Sequence, residues 1–320
     1  MAFGHESQYF KGHAYRKEYL KHADSISFWL GLNPALTITE HPFVNCSPYA
    51  SSNSDLALCA ADLRENGYFQ TNPIIPPTQC EPLANAVINL IRGGIHPLFS
   101  MVYDQFWQVL QNLSFVVNHL GRDQYCIVAA FWVWSISPEH AHSGWGPHRD
   151  NQVERPFFDD GRPTVMNLWI PLTDTDPSNG CIYVLPKSLD PHLPDHPEIR
   201  KVETVQDIRA LPAQKGSILG WDQHLLHWGG RSSKQAVQPR ISFACYYQSK
   251  NYDAQSDLMI ENTAKMTLGQ RLYYIAKAFL RYDKSFGFPD EIKKAAERFI
   301  LAHEISQFRS LTDFKKTFGL

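Results

Sequence analysis

His148-Arg149-Asp150, with His227 and Arg240 downstream, are the residues of this chain whose types and spacing can do chemistry. An imidazole and a carboxylate two positions apart point to one face of an extended strand, and a second imidazole from a neighbouring strand completes one face of an octahedron. Two nitrogens and one oxygen so arranged suit iron(II) and leave three positions to water. Arg240, in Gln238-Pro239-Arg240-Ile241-Ser242, adds a fork of donors that pairs through two hydrogen bonds with a carboxylate. A chance H-x-D lacks that fourth member.

Most of the 14 histidines belong to the structure or the surface. His224 competes with His227, but it lies three positions earlier, which on a strand turns it to the opposite face. His140 and His142 have ligand-like i, i+2 spacing without a carboxylate partner, and read as pocket lining or surface. Ser242 shares the strand face of Arg240 and can donate to the same carboxylate. Trp169 and, two residues before it on the same face, Asn167 are weaker candidates; a core aromatic is the plain alternative for Trp169.

The elements that must position these residues are strands. Alternating, β-branched and aromatic stretches predict strands over 127–136, 165–172, 181–185, 217–221, 224–228 and 240–247. Short strands divided by Gly, Pro, Asn and Asp turns argue for a double-sheet jelly roll with helices outside it. Long connections at 151–164 and 187–215 are where recognition of a substrate is expected, as loops at the mouth. Upstream, helices are predicted over 15–31 and 55–66, over a segment started by a Thr78/Glu81 capping box and ended near Gly93-Gly94, and over 98–120. Two more follow the barrel. One carries Leu268, Leu272, Ile275, Ala276 and Phe279 at helical spacing, and the other starts at Pro289 and buries Ile292, Ala295, Ala296, Phe299 and Ile300. Their apolar stripes need a surface to cover, either the barrel or a second subunit in a homo-oligomer.

The block from Trp145 to Gln248 resembles the phytanoyl-CoA dioxygenase family of iron(II)/2-oxoglutarate oxygenases. The resemblance is carried in order by His148-Arg149-Asp150, Leu168-Trp169-Ile170-Pro171-Leu172, Ser178-Asn179-Gly180-Cys181, Leu185-Pro186-Lys187-Ser188, Leu225-Leu226-His227-Trp228-Gly229 and Arg240-Ile241-Ser242. Upstream, Asp62-Leu63-Arg64-Glu65-Asn66-Gly67-Tyr68-Phe69 looks like the family's helix-to-strand entry. The resemblance implies a double-stranded β-helix of cupin-like type, iron on His148, Asp150 and His227, and 2-oxoglutarate and dioxygen as cosubstrates. Arg240, Ser242, Trp169 and Asn167 would then surround the 2-oxoglutarate. It also implies hydroxylation of an unactivated C–H, since related halogenases replace the carboxylate with a small residue and Asp150 leaves no such vacancy. Lys187 and Leu189 depart from the family's L-P-G-S-H, and Trp228-Gly229-Gly230-Arg231 makes a bulkier, more basic rim, so the substrate does not carry over.

With 320 residues and 43% apolar content the chain can bury a large core. The expected division is a helical extension over 1–54, the oxygenase domain over 55–250 and a second helical extension over 251–320. A net charge of −2 with dispersed basic residues argues against nucleic acid or an anionic membrane as partner, and no stretch approaches transmembrane length. A small-molecule substrate, an amino-acid, alkaloid or peptide-like metabolite, is the expectation. The six cysteines form no C-x-x-C pair and read as reduced, buried thiols. Together with the absence of a basic-then-apolar leader in Met1-Ala2-Phe3-Gly4-His5, they give a cytoplasmic enzyme as the expectation. A non-catalytic jelly-roll binding module and a zinc hydrolase are the rival readings, and both leave Arg240 without a task.

Overall fold

The computed structural model describes residues 17–44, 46–49, 52–138, 145–150, 154–253, 258–260 and 265–306. The strands are β1 (Tyr68–Gln70), β2 (Tyr125–Ile136), β3 (Val165–Pro171), β4 (Ile182–Leu185), β5 (Arg209–Leu211), β6 (Leu219–Asp222), β7 (Leu226–Gly229), β8 (Arg240–Ser249) and β9 (Met259–Ile260). A six-stranded sheet runs β1-β6-β3-β8-β2-β9 and a three-stranded sheet runs β5-β4-β7, with every pairing antiparallel. The small sheet gains a fourth row through an antiparallel bridge between His148 and His227. Trp169, Leu219 and Trp221 of the large sheet pack against Ile182, Val184, Leu211 and Leu225 around the small one, which fills the space between the layers. This is the expected jelly roll.

Strand β8 shows how sequence period sets the layers. In an antiparallel sheet alternate residues face opposite ways, and residues paired across strands share a face. Ile241, Phe243, Cys245 and Tyr247 join the main core beneath the helices, with Phe106, Leu110, Met166 and Ile170. Arg240, Ser242, Ala244 and Tyr246 therefore face inward, toward the small sheet.

The helices are α1 (Ile26–Leu32), α2 (Asn53–Asn66), α3 (Pro77–Arg92), α4 (Asp104–Gly121), α5 (Leu268–Phe286) and α6 (Asp290–Ser306). Three expectations need correction. The helix predicted over 15–31 is a short 3-10 turn at Glu18–Lys21 followed by α1, because Ser25 caps Phe28 N–H and starts a new helix. The stretch 98–120 is likewise split, with a 3-10 segment at Pro97–Val102 before α4. Thr78 and Glu81 form no capping box: Pro77 occupies the first turn of α3, where its missing N–H costs nothing, and Glu81 Oε1 instead accepts from Lys215 Nζ at 2.7 Å. A capping box does open α5, between Thr267 and Gln270.

The C-terminal helices cover the barrel: α5 packs on β2 and α6 packs on α5. Arg271 fastens α5 from inside. Its Nη2 pairs with Asp104 Oδ1 at 2.7 Å, both side chains being buried, while Nε and Nη1 donate to the carbonyls of Met266 and Val102. Removing one partner of such a pair costs about 3–5 kcal/mol. The end of α5 reaches the inner face of the sheet, where Phe286 stacks on Trp132 with centroids 4.7 Å apart.

Candidate metal centre

His148 and His227 stand directly opposite each other in the bridge that joins their strands. Each backbone N–H donates to the other's carbonyl, at 3.1 and 3.0 Å, and the two rings come within 4.3 Å. Paired residues share a face, so both rings point into the barrel. Each Nδ1 lies against a carbonyl two residues earlier, His148 on Gly146 O at 2.7 Å and His227 on Leu225 O at 3.0 Å. A carbonyl accepts only, so each Nδ1 carries the proton and each Nε2 is left as a lone-pair donor, the tautomer a metal needs.

Asp150 brings the third donor. Its Oδ1 lies 3.9 Å from His148 Nε2 and 4.0 Å from His227 Nε2, and the three ligand atoms all fall within 4.8 Å of one another. Burial, then the neighbouring His227, push His148 down to about 4, against the opposing pull of Asp150, so its ring is neutral at physiological pH. Burial alone would raise the Asp150 carboxyl, but His227, His148 and hydrogen bonds from Trp221 and Asn167 outweigh it and hold it below its ordinary value. Two imidazole Nε2 atoms and an ionised carboxylate form a donor set that fits iron(II).

Three side chains hold that carboxylate from the large sheet. Trp221 Nε1 and Asn167 Nδ2 donate to Oδ2 at 3.0 and 3.2 Å, and Tyr246 O–H donates to Oδ1 at 3.0 Å. They come from β6, β3 and β8, where Asn167 is register partner to both Trp221 and Tyr246. The donors thus form one row across three adjacent strands. Burial, then the charge of Asp150, raises the Tyr246 hydroxyl well above its ordinary value, so it stays a neutral donor.

Of the residues predicted to surround 2-oxoglutarate, Arg240, Ser242 and Trp169 lie together and Asn167 lies apart from their role. Arg240 is buried, its Nη1 donates to Gly180 O, and its guanidinium lies 5.9 Å from the Trp169 ring centre and 6.0 Å from that of Trp134. Position 180 requires glycine, because its φ is +86° and a Cβ there would strike the Gly230 carbonyl. Trp169 Nε1 and Ser242 Oγ are buried without a hydrogen-bond partner among the described residues. A buried donor left unmade costs about 1–3 kcal/mol, and an Arg fork beside two such donors fits a carboxylate. Asn167 instead spends its Nδ2 on Asp150.

The remaining candidates fall outside the triad. His224 sits in the turn before β7, edge-on to Phe157 at 5.2 Å, with its carbonyl accepting from Arg149 Nη1. His140 and His142 lie outside the described residues. Sequence reasoning missed Tyr246 and the task of Trp221, although strand alternation from Arg240 already put Tyr246 on the inner face. It also missed Arg149, which points away from the ligands on either side. Its Nη2 pairs with Asp190 Oδ2 at 2.6 Å and reaches Ile199 O at 3.1 Å, tying the 187–215 connection to the ligand strand. Lys187, one of the departures from the expected loop, pairs with Asp222 Oδ2 at 2.9 Å and lies over the Phe157 ring. Trp228 stacks on Tyr183, centroids 5.8 Å apart. At the site's edge Trp145 lies 5.6 Å from the His148 ring and 4.7 Å from Phe286, and Tyr282 of α5 lies 6.0 Å from Trp145.

Comparison with known proteins gives one family match and several similar solved structures. Residues 96–240 match the model of the family described as phytanoyl-CoA dioxygenase (PhyH). No curated protein matches the chain. Among solved structures, the chain is similar to the apo form of the non-heme monooxygenase ThoJ, with 15% identity, a TM-score of 0.52, and coverage of 75% of this chain and 99% of that one. At this identity the likeness bears on fold. It is also similar to the non-heme alpha-ketoglutarate-dependent epimerase SnoN from nogalamycin biosynthesis (16% identity, TM-score 0.47, 62% and 84% coverage). A third is EctD from S. alaskensis in its apoform (14%, TM-score 0.47, 70% and 89%). Among the described residues no helix is long and apolar enough to cross a membrane.

Proposed function

Because residues 96–240 belong to the phytanoyl-CoA dioxygenase family of iron(II)/2-oxoglutarate-dependent oxygenases, we propose that this enzyme hydroxylates an unactivated C–H bond of a small metabolite. His148, Asp150 and His227 are the proposed iron ligands, and Arg240, Ser242 and Trp169 the proposed 2-oxoglutarate contacts. One observation carries the reading. The three-donor cluster and a buried arginine, flanked by Trp169 Nε1 and Ser242 Oγ that have no hydrogen-bond partner among the described residues, line the same barrel interior.

Iron(II) with 2-oxoglutarate supplies dioxygen activation, with succinate and carbon dioxide leaving as the cosubstrate's share of the products. The chain's own residues do the rest. The Nδ1–H bonds to Gly146 and Leu225 carbonyls fix both imidazole planes, so that the donor atoms are ready before a metal arrives. Arg240 fixes the far carboxylate of 2-oxoglutarate and thereby its direction of approach. Half-buried Trp145 and Tyr282, next to His148, offer a flat apolar wall on which a substrate can be held, and the covering α5 keeps water from that side. An intact carboxylate at Asp150 favours hydroxyl transfer over halide transfer. Six free cysteines suit a reducing, cytoplasmic setting, and the substrate class we favour is an amino-acid, alkaloid or peptide-like metabolite of a biosynthetic pathway.

Anaerobic titration of the iron(II)-loaded protein with 2-oxoglutarate tests the reading. A weak visible charge-transfer band of a chelated keto acid is expected; its absence in protein shown to hold iron would remove the cosubstrate assignment. A succinate-release screen under labelled dioxygen then decides the outcome on substrate. Incorporation of one labelled oxygen supports hydroxylation, and a loss of two mass units supports desaturation or ring closure instead.

A further inference from the structure

We propose that Tyr246, Asn167 and Trp221 act as one positioning row for the metal-binding carboxylate, with Tyr246 the member that sets the oxygen facing the metal. This rests on the assignment of Asp150 as a ligand and goes beyond it. Asp150 leaves the small-sheet side of the barrel and reaches toward the large sheet, where the row meets both oxygens of its carboxylate. Two donors at 3.0 and 3.2 Å take Oδ2, and the Tyr246 hydroxyl, at 3.0 Å, takes Oδ1. It is Oδ1 that stands 3.9 and 4.0 Å from the two imidazole Nε2 atoms.

A carboxylate pinned at both oxygens keeps one rotamer, and the donors share its negative charge. They are also neutral and buried on sheet strands, more rigid supports than a loop. The register makes them a unit: shifting β3 by one residue against β6 and β8 would turn Asn167 to the helix face and break the row. Trp221 has a second hold on the centre, since its ring lies 4.5 Å from that of His227. The row therefore touches two of the three proposed ligands.

The test is cobalt(II) binding to the full-length metal-free protein, read from d–d absorption and from competition with a chelator, for wild type, Asp150→Ala, Tyr246→Phe and Asn167→Leu. Loss of a partner of a ligating side chain typically weakens metal binding by roughly ten- to a hundredfold. Tyr246→Phe is expected to fall in that range with a shifted d–d spectrum, while the melting temperature of the metal-free protein changes little. Asn167→Leu provides the same test from the other oxygen. Wild-type affinity and spectrum in both variants, or tighter binding in Tyr246→Phe, would overturn the positioning role, the latter by showing that the hydroxyl competes with the metal. If a variant loses the metal-free fold, the other decides. Cobalt binding that survives Asp150→Ala would sink the metal assignment itself, and this inference with it.

Discussion

The two faces of β8 carry the same number of residues and opposite physics. Toward the helices, Ile241, Phe243, Cys245 and Tyr247 sit in a dry core, and the one hydroxyl there, Tyr247 O–H, is satisfied by Leu110 O at 2.6 Å. Toward the barrel interior, Arg240, Ser242 and Tyr246 are just as buried, yet Ser242 has no partner for its hydroxyl among the described residues and Tyr246 is committed to a carboxylate. The outer face is finished without a ligand and the inner face is not. Stability should live on the first and chemistry on the second, and single substitutions along one strand can separate them.

The largest effect is expected on the outer face. Phe243 is fully buried, edge-on to Phe106 with centroids 5.4 Å apart. Phe243→Ala should cost about 3–5 kcal/mol through lost burial and the cavity left behind, read by chemical denaturation of the metal-free protein. The protein that remains folded should bind cobalt(II) as wild type does. A metal affinity that falls in step with stability would show that the two faces are coupled and blunt the contrast.

Arg240→Met comes next and should invert the pattern. It keeps much of the apolar stem between Trp134 and Trp169 but deletes the fork. Losing one partner of a buried charge pair costs about 2–5 kcal/mol, so the 2-oxoglutarate needed to develop the charge-transfer band should rise on the order of thirtyfold or more. Metal affinity should hold. A change below about tenfold would put the anchor elsewhere.

How much of this contrast was legible in the sequence follows from the range of each interaction. The alternation Arg240-Ile241-Ser242-Phe243 declares both faces by itself, and His148, Asp150 and His227 stand in motifs whose local spacing fixes their direction. The C-terminal helices were equally plain from their apolar periodicity. What they cover was not, since that depends on Arg271 meeting Asp104, a residue 167 positions away in the chain. Asn167 was expected beside 2-oxoglutarate, and the structure shows its Nδ2 donating to Asp150 Oδ2. Strand alternation gives the face, but only the register of β6, β3 and β8 brings it to Asp150 rather than to Arg240. Tyr246 was invisible for the same reason, its partner being 96 residues distant. At Thr78 a valid local signal lost to two others, the proline at the helix start and a lysine on another element.

The smallest effect is the sharpest in sign. Ser242 Oγ is a buried hydroxyl with no hydrogen-bond partner among the described residues, on the face of Arg240 and opposite Trp134 and Pro171 in register. If it waits for the 2-oxoglutarate carboxylate, then deleting it relieves a cost in the metal-free protein and removes a contact in the loaded one. Ser242→Ala should therefore raise metal-free stability by about 1 kcal/mol, a Tm increase of about 2 °C at this chain length, because an unmade buried donor no longer has to be carried. The same change should weaken 2-oxoglutarate by about 1.5 kcal/mol, roughly tenfold, the contribution of a hydrogen bond to a charged group. Ala in place of Ile241, one residue away on the opposite face, should do the reverse: lower Tm and leave 2-oxoglutarate unchanged. A Ser242→Ala protein that is less stable and binds 2-oxoglutarate normally would mean that the hydroxyl is an internal structural group, and the inner face would then differ from the outer one at Arg240 and Tyr246 alone.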